Sequence, residues 1–199
     1  MKFLFSLSFL LTALYSPVAA QNFEPAPADK AVVYFVRASG LGALINFNHY
    51  DGDQLIGRFN AGKYLRYECE PGEHLFWARS ENRSFVEADL TAGSTYLVEI
   101  VPTMGGLKAG VLLVPIDPRE QDIPRRIQRL VTKRGPENYD DSQLAEWAER
   151  TAGKTENGLE RYDKLDENDR KIPQLTADMA VNVADLRFVK KKRKQKSDR

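Results

Sequence analysis

Residues 84–101 read Ser84-Phe85-Val86-Glu87-Ala88-Asp89-Leu90-Thr91-Ala92-Gly93-Ser94-Thr95-Tyr96-Leu97-Val98-Glu99-Ile100-Val101. Val86, Ala88 and Leu90 alternate with Glu87 and Asp89, Ala92-Gly93 punctuates, and Tyr96, Val98 and Ile100 then share one face. Successive side chains of a strand point to opposite faces, so this pattern predicts two half-buried strands joined by a turn. The same grammar extends in both directions. Upstream, Val32 to Val36 is an unbroken β-branched and aromatic run, which predicts a strand buried on both faces. Ala43 to His49 alternates, Asp51-Gly52-Asp53 is a hairpin signal, and Gln54 to Phe59 is its return strand. Asn60-Ala61-Gly62 leads into Lys63 to Cys69, and Pro71-Gly72 into Glu73 to Arg79. Downstream, a Gly-rich loop from Met104 to Gly110 precedes a last strand at Val111 to Val114. Short strands spaced about ten residues apart predict a mainly β fold: a small antiparallel β-sandwich of seven or eight strands over residues 31–117.

After Pro118 the period changes. Ile123, Ile127, Leu130 and Val131 recur at helical spacing, with Arg125, Arg126 and Arg129 on a basic face. Ser142 to Ala152 predicts a second helix stopped by Gly153, and Glu156 to Lys171 a third, poor in apolar residues. A short extended piece is expected around Val181 to Val183. Residues 118–188 thus form a helical appendage, expected to pack against a face or edge of the sheet. Residues 189–199 form a basic tail expected to be disordered.

The other end of the chain reads as a processing signal. Lys2 precedes an apolar run from Phe3 to Tyr15, Ser16-Pro17 breaks it, and Val18-Ala19-Ala20 supplies the small residues that signal peptidase needs. This predicts a signal peptide over residues 1–20 with cleavage after Ala20 and a Pro- and Ala-rich linker over 21–30. The expected location is the periplasm or outside the cell. The mature chain is expected to have no transmembrane helix, since no later run is long and apolar enough to span about 30 Å of hydrocarbon.

Four sets of segments carry a resemblance: Ala31-Val32-Val33-Tyr34-Phe35-Val36-Arg37, Ile56-Gly57 with Ala61-Gly62 and Tyr64, Pro71-Gly72 with His74, and Ala92-Gly93 with Tyr96. Together they resemble the bacterial exported family known as domain of unknown function 2846, a PEGA-like β-sandwich. The resemblance covers about Ala31 to Val114 and implies an exported sandwich. It brings no catalytic residue. Many relatives carry a lipobox cysteine, and this chain has none.

No motif predicts catalysis or a cofactor. Gly153-Lys154-Thr155 ends like a phosphate-binding loop, but Ala148 stands where the motif needs its first glycine, and a helix precedes it instead of a strand. Gly40-Leu41-Gly42 lacks the third glycine and following helix of a dinucleotide site and reads as a turn. Cys69 is the only cysteine, so no intramolecular disulfide forms. Period two sets it with Leu65 and Tyr67 as a packing residue. His49 and His74 are the only histidines, too few for a recognisable zinc set, and His74 is placed to bond a backbone group after the Pro71-Gly72 turn. The acidic stretch from Glu137 to Asp169 reads as a solvated helix face, and the Asn82-Arg83-Ser84 sequon carries no meaning in a bacterial envelope.

The expected function is therefore a non-catalytic binding or interaction module of the bacterial envelope, with an envelope protein or an anionic lipid surface as partner and no nucleic acid. Two alternatives stay open. One is an envelope hydrolase, which His49, His74 or Cys69 meeting a carboxylate in space would favour. The other is an electrostatic tether through Lys190, Lys191, Lys192, Arg193, Lys194 and Lys196, which read equally as a solubilising tail.

Overall fold

The structure of the protein, a computed structural model, describes residues 24–105, 108–165 and 171–188. The leader with its cleavage point at Ala20, and the tail from Lys190 through Lys191, Lys192, Arg193 and Lys194 to Lys196, lie outside the described residues. The strands are β1 (Ala31–Arg37), β2 (Phe47–Asp51), β3 (Gln54–Phe59), β4 (Lys63–Cys69), β5 (Gly72–Arg79), β6 (Arg83–Leu90), β7 (Thr95–Gly105), β8 (Lys108–Pro115) and β9 (Gln174–Leu175). The helices are α1 (Arg125–Lys133) and α2 (Asp141–Asp163).

Two sheets face each other, in the orders β4-β1-β7-β8 and β3-β2-β5-β6-β9. The fold is mainly β, as the alternation predicts. The sheets are mixed, however: β1 runs parallel to β7, with Val32 opposite Thr95, and β9 runs parallel to β6, with Glu87 opposite Gln174. The remaining pairs are antiparallel. Val33, Phe35, Leu65 and Val98 from one sheet meet Phe47, Ile56, Phe76 and Val86 from the other in the central core. Cys69 is a free, buried thiol in that core.

The outer faces are covered too. Val32, Tyr34 and Val36 project away from the sandwich centre onto Ile123, Ile127 and Val131 of the α1 segment and Val181 and Leu186 beyond it. This second layer is why β1 is apolar at every position from Ala31 to Val36 instead of at every other one. Tyr50, Leu55, Trp77 and Phe85 on the other sheet pack against Trp147, Ala148 and Tyr162 of α2. The layers are therefore helix, sheet, sheet, helix.

Three local expectations need correction. Ala43–Asn46 is loop, and β2 begins only at Phe47. Gly153 does not stop a helix: α2 runs unbroken through it for 23 residues, capped at its start by the Asp140 carboxylate on the Gln143 amide at 2.7 Å. An interior glycine costs about 1 kcal/mol against alanine, which burial of the Trp77 and Phe85 face outweighs. Gly158 makes that burial close, since a Cβ there would lie 2.3 Å from the Trp77 ring. Around Val181–Val183 the chain forms short 3-10 turns (Ala177–Met179 and Val183–Leu186) instead of extended backbone, and the late strand lies earlier, at β9.

The free edge of β8 is closed by side chains. The Asn82 amide donates to the Val111 carbonyl at 2.9 Å and accepts from the Val111 amide at 2.7 Å, while the Leu113 amide donates to Ser84 Oγ at 2.9 Å. Pairing an edge in this way removes a template for aggregation. It also commits the sequon asparagine to the fold.

Candidate functional site

β1 and β7 run in the same direction, and the hairpins alternate, so the connecting loops collect at two ends of the sandwich. The two ends differ in chemistry.

At the first end, β2 finishes in a turn with Gly52 at φ 55, and β5 starts from Gly72 at φ 115, backbone values that suit glycine. Asp51 lies opposite Phe76 on β5, two residues from His74 on the same face. That register brings His74 Nδ1 to 2.8 Å from Asp51 Oδ2, while Nε2 lies 2.8 Å from the Glu70 carbonyl. Tyr67 donates its hydroxyl to the same Asp51 oxygen at 3.0 Å, and the His74 ring stacks on Phe76 with centroids 5.2 Å apart. The hydrogen bond to Asp51 first, then the nearby Cys69 side chain, pushes the His74 imidazole up to about 10 against the opposing effect of burial. Tyr67 is held well above the usual phenol range by burial and by the Asp51 charge. These groups line a cavity of about 390 Å³ with Lys30, Glu68 and Cys69.

Cysteine, histidine and aspartate side by side suggest a nucleophile, its base and an orienting acid. The bonding argues otherwise. A base must offer the thiol a free ring nitrogen, and here Nδ1 donates to Asp51 and Nε2 to a carbonyl. The Cys69 thiol is buried and directed at the Ala31 carbonyl, 3.8 Å away. The arrangement is an imidazolium clamp that fastens the β4–β5 turn to the β2–β3 turn. The backbone bond of His74 follows the expectation from the Pro71-Gly72 turn. Its carboxylate partner was invisible, because it depends on strand register between residues 23 positions apart.

At the opposite end, Arg37 closes β1 and is fully buried. Its guanidinium donates to the carbonyls of Gly42 at 2.8 Å, Leu41 and Phe59 at 3.4 Å, and Ile45, and it lies 3.9 Å over the Phe47 ring. Burial lowers its pKa to about 10, which leaves it a cation at neutral pH. It has no carboxylate partner among the described residues, so its hydrogen bonds serve to hold the 38–46 loop. That loop presents Leu44 at 88% exposure, flanked by Leu41 and Ile45, and the tip of the β7–β8 hairpin presents Met104 at 71%. The β5–β6 turn locks onto this hairpin through Ser80 Oγ, which donates to the Ala109 carbonyl at 2.7 Å. On either side of that turn Arg79 and Arg83 are cross-strand partners. Burial, then the charges of Arg79 and of Arg161 on α2, depress the Arg83 pKa.

His49 sits beneath this end, fully buried and stacked on Phe59 with centroids 4.4 Å apart; neither ring nitrogen has a hydrogen-bond partner. Burial, and secondarily the Arg37 charge, lower its pKa to about 3, so it is neutral. The two histidines do not meet. Elsewhere, a cavity of about 470 Å³ on the outer face of β5 and β6 carries Glu73, Glu87 and Asp89. Glu87 there accepts from Tyr162 at 2.6 Å and Gln174 at 2.7 Å. Glu146, Glu149, Glu156 and Glu160 of α2 are exposed, the solvated face expected of them. Among the described residues no cluster of His, Cys, Asp and Glu is arranged to hold a metal ion, and no helix is long and apolar enough to cross a membrane. No protein-family model, curated protein or solved structure matches this chain.

Proposed function

We propose that the protein is an exported, non-catalytic interaction module of the bacterial envelope, periplasmic or secreted, and that it works through the end of the sandwich that carries the 38–46 loop. One observation carries the reading. A fully buried arginine spends its hydrogen bonds on fixing a loop whose outermost residue, Leu44, is 88% exposed. A leucine held out in water on an ordered loop gains nothing for the fold. With Leu41 and Ile45 beside it on the same loop, it forms a contiguous exposed apolar patch of the kind that marks an interaction site. The leader pattern ending at Ala20 and the resemblance to the exported sandwich family support the compartment.

A photo-cross-linking residue at position 44, compared with one at Asp53 on the opposite end, tests this in the envelope of producing cells. Adducts from position 44 alone are expected. Adducts from neither, or equally from both, overturn the reading.

The hydrolase reading is favoured by one specific observation, the juxtaposition of Asp51, His74 and Cys69 at one cavity. It requires a reactive thiol. Rapid alkylation of Cys69 in the folded protein near neutral pH, abolished by His74→Gln, would establish that reading and sink ours. Slow alkylation limited by unfolding is the expected result.

A further inference from the structure

Building on the interaction-module reading, we propose that the Leu44 end of the sandwich docks onto an anionic phospholipid bilayer, with the 38–46 loop and Met104 of β7 entering the interface and arginines meeting the headgroup phosphates. Four observations converge. First, the apolar side chains Leu41, Leu44, Ile45 and Met104 are exposed on two loops that leave the sandwich in the same direction, because β1 and β7 are parallel neighbours. β7 continues six residues past Glu99, the partner of Val36, and at about 3.3 Å per residue its tip projects roughly 20 Å further. Projecting apolar tips reach into a soft interface more readily than they fill a protein groove.

Second, the charge around these tips is cationic. Arg79 and Arg83 are cross-strand partners in the β5–β6 hairpin near Arg161, and none of the three forms an ion pair among the described residues; Arg83 Nη2 donates to Asn157 Oδ1, and Glu81 is the exposed acid of the turn between them. Arg79 Nη1 is buried and makes no hydrogen bond. Like charges placed directly opposite cost stability, which an arriving phosphate relieves through the planar guanidinium fork. Third, the charge is polarised along the molecule. The other end gathers Asp51, Asp53, Glu68, Glu70 and Glu73 with Lys30, so an anionic surface attracts one end and repels the other.

Fourth, the last described residues lie on the same side. The Phe188 amide donates to Thr132 Oγ1 at 2.8 Å, with the Arg129 guanidinium 4.8 Å from the Phe188 ring, and the carbonyl of Arg134, the residue after α1, accepts from the Tyr64 hydroxyl, Tyr64 lying opposite Val36. In the sequence, Lys190–Lys194 follow closely after Phe188. Basic residues near an anionic bilayer each strengthen binding by about fivefold.

The test uses the processed protein and vesicles of phosphatidylcholine with or without phosphatidylglycerol, read by flotation. Binding is expected only with phosphatidylglycerol, and is expected to fall steeply at about 1 M salt, where the screening length is about 3 Å. Leu44→Asp with Met104→Asp should lower partitioning at least tenfold, because each removes a buried-to-be apolar side chain and adds like charge. Arg79→Gln with Arg83→Gln should lower it several-fold. Both variants must keep the parental melting curve, which the exposed Leu44 and Met104 positions secure for the first. Equal binding to both vesicle types, or binding indifferent to Leu44→Asp, overturns the proposal. A dimer that Leu44→Asp dissociates in the absence of vesicles assigns the surface to a second copy instead. Cross-links from position 44 to an envelope protein, without vesicle binding, overturn lipid docking and leave the interaction-module reading standing.

Discussion

The two ends of the sandwich handle a buried cation in opposite ways. His74 is charged because Asp51 lies 2.8 Å away and a backbone carbonyl accepts a hydrogen bond from its other ring N–H. Arg37 is charged although no anionic group among the described residues touches it, and it is stabilised by carbonyl dipoles and the Phe47 ring. One end is electrostatically closed, with its acid and its cation satisfied within the fold. The other holds its loop in place but leaves the apolar side chains Leu41, Leu44 and Ile45 exposed, with Arg79 and Arg83 half-buried beside them. Internal completion at one end and incompleteness at the other are what separate a structural clamp from a surface awaiting a partner, and residue type alone does not distinguish them.

The largest effect expected is at Arg37. Arg37→Met keeps the apolar stem but removes the donors from the carbonyls of Leu41, Gly42 and Ile45, and should lower unfolding free energy by about 3 kcal/mol. Urea denaturation measures it. A cost below that of the clamp variant would break the contrast, since it would mean the loop is not fixed by Arg37. His74→Gln comes next, at about 2 kcal/mol near pH 6, the worth of a charge-assisted hydrogen bond.

The pH dependence sharpens the comparison. The His74 pKa rises on folding from 6.5 to about 10, so its contribution is complete below pH 6.5 and is lost as pH climbs toward 10. The His49 pKa falls on folding from 6.5 to about 3, so its contribution is complete above pH 6.5 and is lost as pH drops toward 3. Each slope is at most about 1.4 kcal/mol per pH unit. Stability should therefore peak near pH 6.5. His74→Gln should flatten the alkaline limb. His49→Phe, which suits the space between Phe35 and Phe59 and removes two unpartnered ring nitrogens, should change stability by no more than about 1 kcal/mol at pH 7. It should also flatten the limb between pH 6.5 and 5. The smallest effect is at Leu44: Leu44→Asp should alter the melting free energy by less than about 0.5 kcal/mol. A larger loss would show that Leu44 serves the fold after all.

Strands were legible wherever one face alone was buried, as in β6, where Val86, Ala88 and Leu90 alternate with acids. The pattern misled where alternation arose for another reason. Ala43–Asn46 mimics a strand, yet the Ile45 carbonyl accepts from Arg37, the Ile45 amide donates to the Gly42 carbonyl and the Ala43 carbonyl accepts from the Ala61 amide, which leaves no ladder to join. Gly153 mimics a stop, but a stop needs the left-handed backbone that Gly153 does not adopt, and the grip of Gly158 on Trp77 carries the helix onward. At the candidate sites, His74 could be placed by its turn. The burial of Arg37 had no local signature, because a charged residue at a strand end ordinarily reaches water. The exposure of Leu44 was equally hidden, since hydropathy cannot tell a core leucine from an offered one.

The parallel pairing of β1 with β7 also governs how the chain reaches its native state. Val32 waits for Thr95, and Glu87 for Gln174, so neither sheet can be zipped up hairpin by hairpin. Contacts this distant must overcome loop-closure entropy before they return any stabilisation, which places folding in the slow, millisecond-to-second regime of non-local β topologies. A chain delayed in this way keeps its strand edges unpaired for longer than one assembled hairpin by hairpin.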